Sequence, residues 1–268
     1  MSVFYLLLVA IVQGITEFLP ISSSGHLIVL PELLGQPDQG VAIDVAVHVG
    51  TLAAVILFFR TEVARALSGT FQVVRGQTDT GEARLALALI VATIPAVLVG
   101  GVLAVTGAND LMRGAQVVGW AMIVFGVVLY AADKLCPAVR PASDWTIRHA
   151  IWMGLAQCVA LIPGTSRAGI TITAARALGY TRKDGATISM LMSIPIILAS
   201  GGVLALDVVG QADWALAGQA AIAAVFAAIA ALFALSVMFR FLNAVSFTPY
   251  IVYRIVFGVG LLVWAGSA

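Results

Sequence analysis

The sequence predicts an all-α polytopic membrane protein, with six transmembrane helices plus two re-entrant helical hairpins in an inverted-topology repeat. Three observations carry that prediction. Of the 268 residues, 61% are hydrophobic and 10% charged, and the mean hydropathy is +1.06. A soluble domain carries roughly 25% charged residues, so too little polar surface exists to cover a water-exposed core. Six apolar runs, 42–59, 84–106, 114–132, 187–206, 216–239 and 248–266, are long enough to cross a bilayer as helices. Two further apolar regions, 2–34 and 147–178, are each interrupted by a break rich in proline, serine and glycine.

Taken in order, region 2–34 comes first. Its break is the stretch Gln13 to Leu27, QGITEFLPISSSGHL. A single crossing would leave the broken backbone unpaired in lipid, and irregular backbone at membrane depth is tolerated only inside protein or beside a water-filled cavity. The region therefore reads as a hairpin that enters and leaves on one side. No Lys or Arg precedes Arg60 and no small-residue cleavage site stands out, so this N-terminal segment is expected in the mature fold. Three spans follow. Residues 61–83, between the first two, read as a polar connection with one amphipathic turn. Pro95 and Pro195 fall inside spans, where neighbouring helices accommodate a kink.

Region 147–178 repeats the plan around Leu161 to Thr173, LIPGTSRAGITIT, and three more spans follow it. Three is odd, so the second half enters the membrane with the opposite orientation. One integral membrane domain, 1–268, then divides into inverted halves of approximately 1–134 and 147–268, with a site where the broken helices meet. Residue identity between the halves is limited to Gln13 and Gln157 and to the spacings Pro20 to Ser23 and Pro163 to Ser166.

Orientation follows the basic residues near span ends. Eleven of the fourteen fall on one side, Arg113 lies on the other, Arg167 sits in a break and Arg254 inside the last span. The bias places both termini outside the cytoplasm, with the first hairpin open outward and the second inward. Trp145, Trp152, Trp214, Tyr250 and Trp264 fall near span ends, as interfacial anchors do. The two cysteines, Cys136 and Cys158, suggest neither a disulfide framework nor a thiolate metal site.

Ionisable groups at membrane depth are costly and default to function. Gln13 and Glu17, four apart, share one helical face. They read either as a polar pair bonded to a neighbouring helix or as oxygen ligands for a hard divalent cation. Glu17 is alternatively a general base. Beyond Pro20, Ser23 is expected to cap a short helix, which puts His26 at its third position and leaves Ser23 facing His26. A serine beside an imidazole and a carboxylate is a candidate nucleophile, with His26 as acid, base or rival nucleophile. Ser22 and Ser24 read as hydroxyls that satisfy free backbone amides, or with Gly25 as substrate contacts. In the second break Gly164, Thr165 and Ser166 open a helix whose free amides suit an anion, and Arg167 adds a fork-shaped cation for phosphate. Arg167 alternatively pairs with Glu17 across the hairpins. His48, early in the first span, borders the same cavity as a candidate substrate contact, and Asp44 sits at that span's start. His149 reads as a solvated interfacial residue, and Ser189 and Ser193 as packing hydroxyls.

These residues resemble a known group. The Glu/Gln-x-x-x-Glu motif, here Gln13 to Glu17 followed by PISSSGH, and the PGxSR motif, here Pro163 to Arg167, are similar to those of the bacterial undecaprenyl-diphosphate phosphatases, also called bacitracin-resistance proteins. The resemblance runs through essentially the whole chain. It implies hydrolysis of undecaprenyl diphosphate to undecaprenyl phosphate and inorganic phosphate, which recycles the lipid carrier of peptidoglycan synthesis and confers bacitracin resistance. It implies a divalent cation, Mg²⁺ or Ca²⁺, at Gln13 and Glu17, and catalytic roles for Glu17 (metal or base), Ser23 (nucleophile), His26 (acid, base or rival nucleophile) and Arg167 (phosphate clamp). The implied setting is the bacterial inner membrane. Expected partners are the lipid substrate, the bilayer and, as one option, a second copy in a homodimer, but not nucleic acid. Two departures stand out. Many relatives have glutamate at the position of Gln13, and Ala168 replaces a common serine. The alternative function is an inverted-repeat transporter or lipid-carrier flippase that uses the same pocket for binding alone.

Overall fold

Apolar length and helix punctuation together set the elements of this chain, seen here in a computed structural model. It describes every residue except 109–111, 113, 210–213, 243 and 268, and the side chains of 203–209, 214 and 215 also fall outside the description. Arg113 and the Trp214 side chain, both used in the orientation reading, are among those not described. The regular elements among the described residues are all helices, with one isolated bridge between Arg140 and Tyr180.

Helix α1 (Val3–Phe18) starts at Ser2, whose hydroxyl accepts from Tyr5 N at 3.2 Å, and stops before Pro20. The residue before a proline is pushed out of the helical region. Helix α2 (Ser23–Leu34) ends on Gly35 in the left-handed region, φ 59°. Then come α3 (Val41–Phe58), α4 (Arg60–Val74), α5 (Gly81–Thr106) and α6 (Ala115–Leu135). In the second half α7 (Ile147–Cys158) runs through a 3-10 turn into the second break. It is followed by α8 (Arg167–Ala177), α9 (Arg182–Val209), α10 (Trp214–Phe241) and α11 (Thr248–Ser267). Six of these, α3, α5, α6, α9, α10 and α11, are long and apolar enough to cross a membrane, matching the six runs read from the sequence. Their unpacked faces are apolar, as Leu98, Val102, Phe233 and Val256 show, and the chain is a multi-pass membrane protein.

One expectation fails. Residues 61–83 do not form a loop with a single turn, because 60–74 form α4, a 15-residue helix. Its polar composition concealed an amphipathic spacing. Val63 and Ala66 pack on the core while Leu67, Phe71 and Val74 form an exposed stripe. The helix continues almost directly from α3, through Val63 N to Phe59 O at 2.9 Å.

The core forms where α3, α5, α8, α9 and α10 meet. Helix α8 is buried on all sides, from Ala168 to Thr173, so it shows no polar face. Small residues allow close approach, as is usual between membrane helices. A Cβ at Gly14 of α1 would lie 2.5 Å from the Ala227 carbonyl oxygen of α10, and one at Gly154 of α7 2.6 Å from that of Ala92 in α5. Each short first arm is thus seated by a glycine on a long span of the other half.

Candidate active site

Both breaks turn on a serine. Ser22 (φ 72°) and Ser166 (φ 70°) are the two non-glycine residues with positive φ among those described. Such a conformation costs about 1–3 kcal/mol and persists only where its surroundings hold it. Each serine is an N-cap. Ser22 Oγ accepts from Gly25 N at 3.3 Å and Ser166 Oγ from Gly169 N at 3.0 Å. The cap of α2 is therefore Ser22 rather than Ser23, which corrects the expected placement. The correspondence between breaks is likewise not Pro20–Ser23 with Pro163–Ser166. It is Ser22-x-x-Gly25 with Ser166-x-x-Gly169, each serine nine residues beyond Gln13 or Gln157.

Moving the cap back by one residue turns Ser23 about 100° around the helix. Ser23 becomes the first helical residue and His26 the fourth. Ser23 Oγ donates to Glu17 Oε2 at 2.7 Å instead of facing His26. The same oxygen accepts from Gln13 Nε2 at 3.0 Å, so Gln13 and Glu17 do share a face. Arg167 Nη2 donates to Glu17 Oε1 at 2.7 Å, across 150 residues of chain. A second guanidinium nitrogen reaches the Ser189 carbonyl at 3.4 Å, and the group lies 5.8 Å from the Phe18 ring centroid. Glu17 is 9% exposed, and a carboxylate so buried persists as an ion when paired. His48 Nε2 lies 3.9 Å from Glu17 Oε2, with Nδ1 bonded to the Asp44 carbonyl at 2.7 Å. Glu17, Ser23, Arg167, Gln13 and His48 thus converge.

His26 does not join them. Its Nδ1–H donates to the Ser22 carbonyl at 2.7 Å, and its Nε2 meets the Tyr253 hydroxyl at 2.6 Å. The ring stacks on Phe257 at 4.7 Å, on the face toward α11. Ser24 is exposed and lines a cavity of about 300 Å³ with Gln39, Asp44, His48, Leu161 and Pro163. In the second break Gly164, Thr165 and Ser166 are buried. Gly164 has φ 91°, and a Cβ there would sit 2.5 Å from the Val118 carbonyl oxygen, so only glycine fits. A Cβ at Gly25 would lie 3.6 Å from Gly164 Cα, so the two breaks touch.

The donors available to a cation are the Glu17 carboxylate and Gln13 Oε1, which is buried without a hydrogen-bond partner. Both are hard oxygens. Among the described residues no group of three or more His, Cys, Asp or Glu side chains gathers to hold a metal. The set fits an ion such as Mg²⁺ that takes most of its ligands from phosphate and water, not a closed protein cage.

The sequence reading missed Tyr253 and Arg254, adjacent residues of α11 that reach the first break. The signal for Arg254 was present, a charge inside an apolar span, but its partners are remote in sequence. His149 is not simply solvated. It bridges Arg140 Nη1 at 2.9 Å and the Tyr180 hydroxyl at 2.6 Å. Ser189 does pack as a hydroxyl, 2.6 Å from Thr171 Oγ1 on α8.

Comparison with known proteins shows what the whole chain is similar to. The chain is 59% identical over 267 residues to an undecaprenyl-diphosphatase of Dinoroseobacter shibae, covering 100% of both. It is 57% identical to one of Roseobacter denitrificans, again over 100% of both, and 58% identical to one of Ruegeria pomeroyi over 98% of each. A family model described as bacitracin resistance protein BacA matches residues 6–260. A full-length match at this identity, together with both motifs, means that the chain belongs to the bacitracin resistance protein BacA family.

Proposed function

We propose that this protein is a phosphatase that hydrolyses undecaprenyl diphosphate to undecaprenyl phosphate and inorganic phosphate, recycling the carrier lipid of peptidoglycan synthesis and conferring bacitracin resistance. The observation that carries the reading is the meeting of Arg167 from one break with Glu17 and Ser23 of the other, inside an apolar protein. The printed name of the relatives points to the same substrate.

In this reading the terminal phosphate enters beside Arg167, which clamps its charge, and the prenyl chain stays among the apolar spans. Ser23 already donates to Glu17, so Glu17 takes the Ser23 proton as Oγ attacks the terminal phosphorus. The bond from phosphorus to the bridging oxygen breaks and undecaprenyl phosphate leaves. Glu17 returns its proton to the leaving undecaprenyl phosphate. Water then gives a proton to the freed carboxylate as its oxygen attacks the phosphoserine, and that proton passes back to Ser23 Oγ as inorganic phosphate leaves. Fixed charge aimed at the transferring group is the largest catalytic contribution expected. His26 is better suited to proton traffic at the edge of the site, because its Nε2 is hydrogen-bonded to the Tyr253 hydroxyl and not to Ser23 or Glu17. When bound at Gln13 and Glu17, a divalent cation, Mg²⁺ or Ca²⁺, would supply further neutralisation of phosphate charge.

We also read α1–α2 and α7–α8 as the re-entrant hairpins of an inverted-topology repeat, with both termini and the active site on the outer side of the bacterial inner membrane. The arms support it. They are 16, 12, 12 and 11 residues long, all shorter than the ~20 needed to span. Purified, detergent-solubilised protein given undecaprenyl diphosphate should release inorganic phosphate. No release, with intact folded protein, would favour the carrier alternative.

A further inference from the structure

Arg254 is a buried charged group for which the proposed reaction has no use. It sits in the apolar span α11 and is fully buried, at 0% exposure. Among the described residues no carboxylate pairs with it. Its guanidinium instead donates to five main-chain carbonyls. Nε reaches Met122 at 3.1 Å, Nη1 reaches Pro20 at 3.3 Å, and Nη2 reaches Ala121 at 3.4 Å, Gly164 at 3.1 Å and Thr165 at 2.8 Å. Pro20 lies two residues before the cap of the first break. Gly164 and Thr165 lie two and one before the cap of the second. Ala121 and Met122 belong to α6. One side chain therefore binds both breaks to each other and to a long span.

The surroundings are shaped for it. A Cβ at Gly169 would sit 2.7 Å from Arg254 Nη1, so glycine leaves the space the guanidinium fills. An unpaired buried charge is tolerated only where dipoles replace its hydration, and five converging carbonyls do that. Only a planar fork with several fixed donors can reach acceptors in three segments at once; an ammonium is a single point on a flexible stem. The two positive-φ serines next to these carbonyls need surroundings that hold them in place, and Arg254 is common to both.

We infer that Arg254 is a positioning residue for the reaction proposed above. It holds the two breaks in the register that sets Arg167 against Glu17 and Ser23, without touching the substrate itself. The inference rests on the phosphatase reading for its kinetic consequence but not for its structural one, and the two are tested separately.

Full-length protein carrying Arg254→Lys, Arg254→Gln or Arg254→Met would be purified in detergent and studied by steady-state kinetics and by amide hydrogen exchange. For the Gln and Met variants kcat should fall about 100-fold, the scale of a small misplacement of reacting groups. KM should stay within about threefold, because substrate contacts are unchanged. Exchange in residues 20–25 and 163–169 should rise together by about tenfold while 182–200 is unaffected. Arg254→Lys, which keeps the charge but not the fork, should show the same paired rise and recover less than about a tenth of parent kcat. Parent-like exchange in both breaks, a rise confined to one of them, or a kcat loss that only tracks the folded fraction would overturn the inference. If the Gln and Met variants do not fold, the Lys variant decides alone, with parent-like exchange and kcat counting against it. A parent that releases no phosphate would sink the phosphatase reading and leave the exchange result to judge the positioning role.

Discussion

At Ser22 and at Ser166 the backbone makes the same manoeuvre, with φ of 72° and 70° and a serine hydroxyl capping the glycine three residues on. A glutamine sits nine residues before each cap. What the two breaks carry is different. Five residues before the cap stands Glu17 in one and Leu161 in the other, and immediately after it stands Ser23 in one and Arg167 in the other. One break offers an acceptor and a hydroxyl, the other a permanent cation. The two breaks thus bring together complementary chemistry, and Glu17 takes its cationic partner from the other break. Glu17 would be an unpaired buried carboxylate without Arg167, which is expensive.

The largest effect tests that complementarity directly. Arg167→Ala should lower kcat by about 10³ or more, since it removes the charge clamp. It should also destabilise the fold by about 3–5 kcal/mol by stranding Glu17. Adding Glu17→Gln to it should restore much of the melting temperature and none of the turnover. Restored turnover would mean that the pair is structural only.

Next comes the choice between Ser23 and His26. Ser23→Ala should lower kcat by about 10³ or more, and His26→Gln by about 10², each relative to folded protein. Trapping of phosphate on a serine, lost in Ser23→Ala, would sharpen the assignment; a phosphohistidine would reverse it.

Smaller effects compare the two turns. Gly164→Ala must place a Cβ at positive φ against the Val118 carbonyl and should cost about 2 kcal/mol or more. Gly25→Ala meets a Val118 methyl at 3.1 Å as its tightest contact and should cost about 1 kcal/mol. Ser166→Gly, which gives up the cap but relieves the backbone, should be milder than Ser166→Ala, the latter losing about 1 kcal/mol. Thermal unfolding in detergent reads all four.

The smallest effect lies away from the site. His149 accepts from Arg140 and donates to Tyr180, an arrangement that suits the neutral ring. Burial first, then Arg140 and Arg148, hold its pKa below the ordinary histidine range. The unfolded chain therefore binds this proton more readily, so stability is full above the ordinary histidine pKa and declines as pH falls through it toward the lowered folded value. His149→Gln should flatten that part of the melting-temperature profile by a few tenths of a kcal/mol at most. An unchanged profile would show that the bridge does not titrate there.

Much of this was legible in order along the chain. Apolar length marked all six spans, because a helix in lipid must pair every backbone group internally over a fixed thickness. Glu17 and Arg167 stood out because ions inside an apolar protein need partners, and both breaks were marked by proline, serine and glycine where helices must stop. Helix α4 escaped because its amphipathic spacing was hidden by a polar composition.

What the sequence by itself determined, then, was the class of protein, the two interruptions and the two ions, Glu17 and Arg167, whose pairing it offered as one alternative. Only the tertiary structure decided which serine caps, and so which one meets the carboxylate, since a one-residue shift turns a side chain about 100° and adjacent serines offer no local reason to prefer either. It alone also sent His26 to Tyr253 and gave Arg254 its carbonyls. Those partners lie 227 and up to 234 residues away, and contacts between remote segments are set by how whole helices pack, which no local pattern encodes.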